Sequence, residues 1–176
     1  MTNPKGFTVF FAVLVASLAL AIGLAVYDLL LRELELSQTA KESQYAIYAA
    51  DTGAECALYW DLNYDDGNTV GSAFATSSAS DPPASGIICN NQDIAATADA
   101  ANTWPETDDA TNATTTFEVM LIAGDPNSPC AIVEVAKYAE NPGDPSRTTI
   151  ISRGRNTSCQ ATTGGLQIER ALEVNY

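Results

Sequence analysis

Hydrophobic residues are concentrated near the N-terminus of the chain. Residues 7–27, FTVFFAVLVASLALAIGLAVY, contain no charged side chain. At about 1.5 Å per residue, a helix of this segment would cover the roughly 30 Å hydrocarbon layer of a bilayer. Lys5 precedes the segment and Asp28 follows it, a charge order that predicts export of the chain beyond it. We therefore expect a transmembrane helix at residues 7–27.

The helical pattern continues beyond the apolar segment. Residues 28–60 contain no proline, and their apolar side chains recur near helical spacing. The sequence thus predicts one helix from residue 7 to about residue 60, with an amphipathic second half. The side chains expected to face a packed sheet are Tyr45, Tyr48, Cys56 and Tyr59.

Two further regions follow the helix. Residues 61–116 are rich in Asp, Asn, Ser, Thr and Gly, which predicts a variable loop region. Residues 117–176 contain four runs rich in β-formers, FEVMLIA, CAIVEVAKYA, RTTIISRG and LQIERALEVNY, and the connection AENPGDPS predicts a hairpin between the second and third. The predicted fold class is therefore α+β, a long helix packed on an antiparallel sheet of about four strands.

Composition and charge exclude several functions. The 176 residues carry a net charge of −14, which would repel nucleic acid, and they contain no His. The sequence has no G-x-S-x-G, Walker A or G-x-G-x-x-G pattern. Neither an enzyme nor a bound cofactor is expected.

Four widely spaced cysteines favour two structural disulfides outside the cytoplasm, with free buried thiols as the alternative. The predicted hairpin brings the start of its first strand, at Cys130, near the residues that follow its second strand, at Cys159. We expect a Cys130–Cys159 disulfide, which leaves Cys56 to pair with Cys89.

A metal site has one weak candidate. Asp61, Asn63 and Asp65 place oxygen ligands at alternate positions, as at the opening of a calcium loop. Gly67 comes one residue late, and Ser72 stands where a bidentate Glu should close the site. A solvated acidic turn is the preferred interpretation, and no metal is assigned.

The segment Lys5-Gly6-Phe7-Thr8, followed at once by the apolar run, resembles the leader junction of bacterial type IV prepilins. The resemblance implies a leader at residues 1–6, cleavage between Gly6 and Phe7 by a prepilin peptidase, and N-methylation of Phe7. Major pilins usually carry a Glu at the fifth residue after the cut, where this chain has Phe11. This difference argues against the main filament subunit.

Two other features extend the resemblance. The run SQYAIYAADTGAECALYW, together with the closing segments around ISRG and ERALE, is similar to PilX-type minor pilins. Small residues also line one face of the apolar helix, where neighbouring helices could approach closely, although such residues are common in membrane helices generally. They are Ala12, Ala16, Ala19 and Gly23.

The sequence thus suggests a minor pilin that is held in the bacterial inner membrane by its helix and is then assembled into an extracellular filament. The implied partners are other pilin subunits, the prepilin peptidase, the inner-membrane assembly machinery and, before assembly, membrane lipid. The alternatives are a pseudopilin of a type II secretion or DNA-uptake machine and, from another class, an uncleaved single-pass surface receptor or adhesin.

Overall fold

A computed structural model describes residues 5–65, 70–74, 86–95, 103–106, 112–141, 146–160 and 166–176. The chain divides into two compact units, Met1–Lys41 and Glu42–Tyr176. One helix, α1, runs from Lys5 to Asn63 through both of them. The first unit is described from Lys5 onward and is entirely helical. Helix α1 was expected to end near residue 60, and it extends three residues farther, to Asn63.

The second unit combines the end of α1 with antiparallel strands. Two small hairpins come first, β1 with β2 and β3 with β4, and a five-stranded sheet in the order β5-β6-β7-β8-β9 follows. The strands are β1 Tyr64–Asp65, β2 Val70–Gly71, β3 Ile88–Cys89, β4 Gln92–Asp93, β5 Thr103–Glu106, β6 Asn112–Met120, β7 Cys130–Tyr138, β8 Arg147–Arg155 and β9 Glu169–Asn175. The α+β class, with a long helix packed on an antiparallel sheet, is therefore confirmed.

Four long strands correspond to the four expected runs, but the sheet begins earlier than predicted. Strand β5 and the first five residues of β6 lie inside the region expected to be loop. In β6 the side chains of Ala113, Thr115, Phe117 and Val119 are buried, whereas the alternate side chains are partly exposed. Threonine is polar but β-branched, and it fits a pleated, half-buried surface. The expected boundary at residue 117 was wrong because the run NATTT was interpreted by its polarity.

The helix packs on the sheet through small residues. Its buried positions in the second unit are Ala46, Ala49, Ala50, Gly53, Ala54, Ala57 and Asp61. A Cβ placed on Gly154 of β8 would lie 2.0 Å from the carbonyl oxygen of Ala46, so the helix backbone lies directly against this strand. Only alanine and glycine fit so narrow a gap.

The expectation that Tyr45, Tyr48 and Tyr59 face the sheet was therefore wrong. All three side chains are exposed, with exposed fractions of 39%, 59% and 57%. Because the backbones of α1 and β8 are in close approach, an aromatic ring has no room between them. The rings instead point away from the sheet, and Cys56 lies at the side of the helix, where it forms a disulfide.

Two short segments cover the rest of the core. Phe74 stacks on Phe117 with ring centroids 5.7 Å apart, and Ile87 and Ile94 are fully buried beside them. Asn90 and Asn91 make the tight turn between β3 and β4 with positive φ angles of 45° and 62°, a region that asparagine tolerates.

Both disulfides join the pairs named from the sequence. Cys56 of α1 is bonded to Cys89 of β3, and Cys130 of β7 to Cys159. In the β7/β8 ladder Cys130 lies opposite Arg155, only four residues before Cys159, which is the register that the hairpin predicted. The first bridge ties the segment around residue 89 to the helix, and the second closes the far end of the hairpin.

Candidate functional site in the apolar helix

The first unit exposes an apolar surface of unusual extent. Every described side chain from Phe7 to Leu36 is exposed, and the apolar window of this helix is 0% buried by the part of the chain that the structure describes. The helix is long and apolar enough to cross a membrane. A soluble monomer rarely leaves an apolar patch larger than a few hundred Å² uncovered, so this surface requires lipid or another protein.

The helix satisfies its own polar groups within this segment. Its backbone N–H and C=O groups are bonded along α1, which is the condition for lying in hydrocarbon. The Ser17 hydroxyl donates a hydrogen bond to the Leu14 carbonyl oxygen at 2.9 Å. Phe11 is 59% exposed and adds to the apolar surface.

Four small residues lie along one side of this helix. They are spaced by four, three and four residues, which places them on one face, and a Cβ added at Gly23 would meet no atom within 4 Å. The residues are Ala12, Ala16, Ala19 and Gly23. The helix therefore offers a smooth face for close approach by another helix.

The junction at Gly6 and Phe7 lies at the start of α1. The helix begins at Lys5, and the Phe7 side chain is 71% exposed. The expected cleavage position is therefore accessible from outside the helix. Residues 1–4 of the expected leader lie outside the described residues.

A polar cluster, here called the Asp61 cluster, fixes the other end of the helix. Asp61 is buried, with an exposed fraction of 5%. Its Oδ1 atom lies 2.6 Å from the Lys137 ammonium group on β7. The hydroxyl groups of Ser72 and Tyr176 donate to its two oxygens, and Thr148 donates to Oδ2 at 3.4 Å. The cluster thus joins α1 to the β2 segment, to the sheet and to Tyr176.

The Asp61 cluster affects the ionisation of Tyr176. Burial of the phenol, then its hydrogen bond to Asp61 and the negative charge there, raise the pKa of the Tyr176 hydroxyl far above its ordinary value. The phenol therefore remains protonated and remains a donor at neutral pH.

The weak calcium candidate is not assembled as a site. Asp61 and Asn63 are two residues apart on α1 and so point to different sides of it. Asp61 is committed to Lys137, while the Asn63 amide donates to the Tyr59 carbonyl oxygen at 3.0 Å. Asp65 lies in β1. Among the residues that the structure describes, no three His, Cys, Asp or Glu side chains gather as they would around a metal.

An open cleft lies at the end of the sheet where β7, β8 and β9 meet. Its lining is Tyr138, Arg147, Thr148, Thr149, Asn175 and Tyr176. The Arg147 guanidinium lies 5.9 Å from the centre of the Tyr138 ring. The described lining provides hydroxyl, amide and guanidinium groups, and the Glu140 carboxylate lies 3.7 Å from the Arg147 guanidinium.

The sequence identified the apolar surface, its small residues and the cysteines, but it did not identify the Asp61 cluster. Asp61 was noted only as an exposed ligand candidate. The sequence signal that could have revealed it is helical phase, because Asp61 follows Ala50, Ala54 and Ala57 on the buried side of α1. Comparisons with protein-family models, curated proteins and solved structures find no match for this chain.

Proposed function

We propose that this protein is a structural subunit of a bacterial type IV filament, a minor pilin of the PilX type. The subunit is held in the inner membrane by α1 before assembly and lies in the extracellular filament afterwards. Its partners are other pilin subunits, the prepilin peptidase, the inner-membrane assembly machinery and, before assembly, membrane lipid. The acidic second unit is displayed outside.

One observation carries the proposal: a single helix is uncovered and apolar in one unit and part of a disulfide-bonded domain in the other. The apolar side chains from Phe7 to Leu36 are exposed, with no cover from the part of the chain that the structure describes. In the second unit the same helix buries seven small or polar residues against the sheet. Such a chain can exchange lipid for neighbouring helices without rearranging its folded domain.

The junction KGFT supports processing before assembly. Gly6 stands immediately before the expected cut, and the apolar surface starts at the next residue. Cleavage there would leave Phe7 as the new N-terminus and remove the Lys5 charge from the helix. We propose that Phe7 is then N-methylated.

Phe11 determines which kind of subunit is proposed. A Glu at this position would be costly in hydrocarbon unless a neighbouring N-terminal amine paired with it, so it would favour repeated association of identical subunits. Phe11 is neutral and has no such partner requirement. A sparse or terminal position in the filament therefore fits this chain better than the repeating position.

The role is structural. The chain contains no His, and its net charge of −14 resides entirely in the second unit, since the first carries three basic and three acidic residues. The two disulfides support an oxidising compartment, outside the cytoplasm, for this second unit.

The proposal is tested by the intact mass and N-terminal sequence of the protein purified from its native membrane or filament fraction. The expected product starts at Phe7, lacks residues 1–6 and carries one added methyl group. Gly6→Leu should block the cleavage, whereas the matched variant Gly23→Ala, at a glycine within the helix, should leave it unchanged. A wild-type chain that still starts at Met1 would reject the pilin proposal in favour of an uncleaved anchored receptor.

A further inference from the structure

Strand β9 forms one edge of the five-stranded sheet. It pairs with β8 over seven residues, from Glu169 to Asn175, and no other described strand lies along its outer side. Five of its seven side chains are exposed. Strand edges of this length expose backbone groups that can pair with another chain.

The register shows which backbone groups are free. Thr148 and Tyr176 exchange two backbone hydrogen bonds, and the Asn156 amide donates to the Ile168 carbonyl oxygen. In an antiparallel ladder the residues that bond to the neighbouring strand alternate. The even-numbered residues of β9 therefore bond to β8. The N–H and C=O groups of Ala171 and Glu173 point away from the sheet.

Charge limits what can pair with this edge. Glu169 and Glu173 are four residues apart and point to the same face as Ala171. The Arg155 guanidinium of β8 donates to Glu169 at 2.9 Å, whereas Glu173 accepts from the neutral Asn175 amide at 2.8 Å. Arg170 is on the opposite face, where it donates to Ser43 at 3.0 Å. The second unit contains 19 acidic and 5 basic residues, and 5 − 19 gives −14. Pairing of two β9 strands from two copies would bring two units of this charge together, which is unfavourable.

We propose that β9 is a docking strand for an extended basic segment of another protein, which adds to the sheet as a sixth strand. The backbone groups of Ala171 and Glu173 supply the hydrogen bonds of strand addition. One Lys or Arg residue of the partner lies opposite Glu173. A second, four residues away with a small residue midway between them, lies opposite Glu169 and shares that carboxylate with Arg155. This inference concerns the second unit and does not depend on the proposed filament.

The test uses the full chain in non-ionic detergent micelles and a nine-residue peptide probe. The probe has Lys at positions 3 and 7, Ala at position 5 and Thr or Val at the remaining positions. A matched control peptide has Glu at positions 3 and 7. Residue-resolved amide hydrogen exchange is measured with and without each peptide.

The expected signature is an alternation along β9. The Lys peptide should slow exchange at Ala171 and Glu173 by tenfold or more at saturation, while Leu172 and Val174 are already protected by β8. The Glu peptide should bind at least about threefold more weakly, because the attractive cross-strand pair at Glu173 becomes repulsive, while the charge of Glu169 is balanced by Arg155.

A pair of variants at one position separates docking from folding. Ala171→Pro removes only an outward N–H, so Leu172 should remain protected while the peptide effect disappears. Ala171→Val keeps the N–H group and should retain the effect. The proposal is overturned if millimolar Lys peptide leaves the exchange of Ala171 and Glu173 unchanged, if the two peptides bind equally, or if Ala171 and Glu173 become protected without peptide as protein concentration rises, which would identify a second copy as the partner.

Discussion

Gly154 is the residue at which α1 and the sheet come closest, and Gly154→Ala is the sharpest test of how the second unit is packed. The added Cβ would lie 2.0 Å from the Ala46 carbonyl oxygen and 2.3 Å from the Ala50 amide nitrogen. An ordinary contact requires about 3.4 Å, so the two backbones must separate by roughly 1.4 Å.

The cost follows from what must move. Backbone atoms cannot rotate out of the way, so α1 has to shift away from β8 as a rigid element. A gap of 0.5–1 Å already removes about a quarter to a half of the dispersion attraction between facing atoms. Ordinary overpacking costs about 1–3 kcal/mol. We expect Gly154→Ala to lower the free energy of unfolding by about 3–5 kcal/mol.

Gly53→Ala is the graded comparison, since its Cβ would meet only side-chain atoms. The nearest are the Ser152 hydroxyl oxygen and a Val133 methyl carbon, both at 2.6 Å. The Ser152 and Val133 side chains can rotate, although the Ala131 Cβ at 2.9 Å cannot, and alanine gains about 1 kcal/mol of helix propensity over glycine. A loss of about 1–2 kcal/mol is expected. Gly23→Ala, with no atom within 4 Å of its Cβ, should change stability by less than about 0.5 kcal/mol.

The assay is guanidinium unfolding of the oxidised full-length protein in non-ionic detergent, followed by tryptophan fluorescence, with the three variants measured side by side. Equal denaturant slopes would show that the same unfolding event is compared. The close approach of α1 and β8 is contradicted if Gly154→Ala lowers the free energy of unfolding by less than about 1 kcal/mol. It is also contradicted if Gly53→Ala lowers this free energy more than Gly154→Ala does.

Three further predictions concern the Asp61 cluster and a disulfide. Lys137→Met leaves the Asp61 carboxylate buried without its cation and should cost about 3–5 kcal/mol in the same assay; a cost below about 1 kcal/mol would show that the ion pair is dispensable. The Tyr176 hydroxyl has a raised pKa in the folded protein, so its stabilising contribution is complete below the unfolded value of about 10 and is lost as pH rises above it. Unfolding free energy measured from pH 9 to 12 should fall less steeply in Tyr176→Phe than in the wild type, and identical slopes would contradict this. Replacing both Cys56 and Cys89 by Ala opens a loop with a sequence separation of 33 residues and should cost about 3–4 kcal/mol, whereas an unchanged midpoint would rule out a stabilising crosslink.

Several features of the second unit could be predicted from the chain because they depend on local pattern. The β-rich runs, the Pro and Gly residues in the connection and the spacing of Cys130 from Cys159 define a hairpin and its register. That register brings the two sulfur atoms together, and the remaining pair follows. The charge-free residues 7–27 define an apolar helix for the same reason, since hydrophobicity and the absence of helix breakers are properties of the segment itself.

The tertiary structure decided which side of the helix is buried. From the sequence we expected Tyr48 and Tyr59 to be core residues because they recur near helical spacing with the other apolar residues of the helix. The close approach at Gly154 leaves room only for small side chains, and this approach depends on two elements about 100 residues apart. No local pattern contains that distance. The rings are exposed, and alanines form the interface.

The same distinction explains Asp61 and the early start of the sheet. An aspartate in the last turn of a helix is usually solvated, and only the contacts with Lys137, Thr148 and Tyr176, from three distant positions, make the burial of Asp61 favourable. Residues 112–116 are polar by composition and become strand because β7 offers them a partner. The sequence by itself determined the elements whose stability is local, while the tertiary structure decided the faces, partners and charges that depend on distant residues meeting.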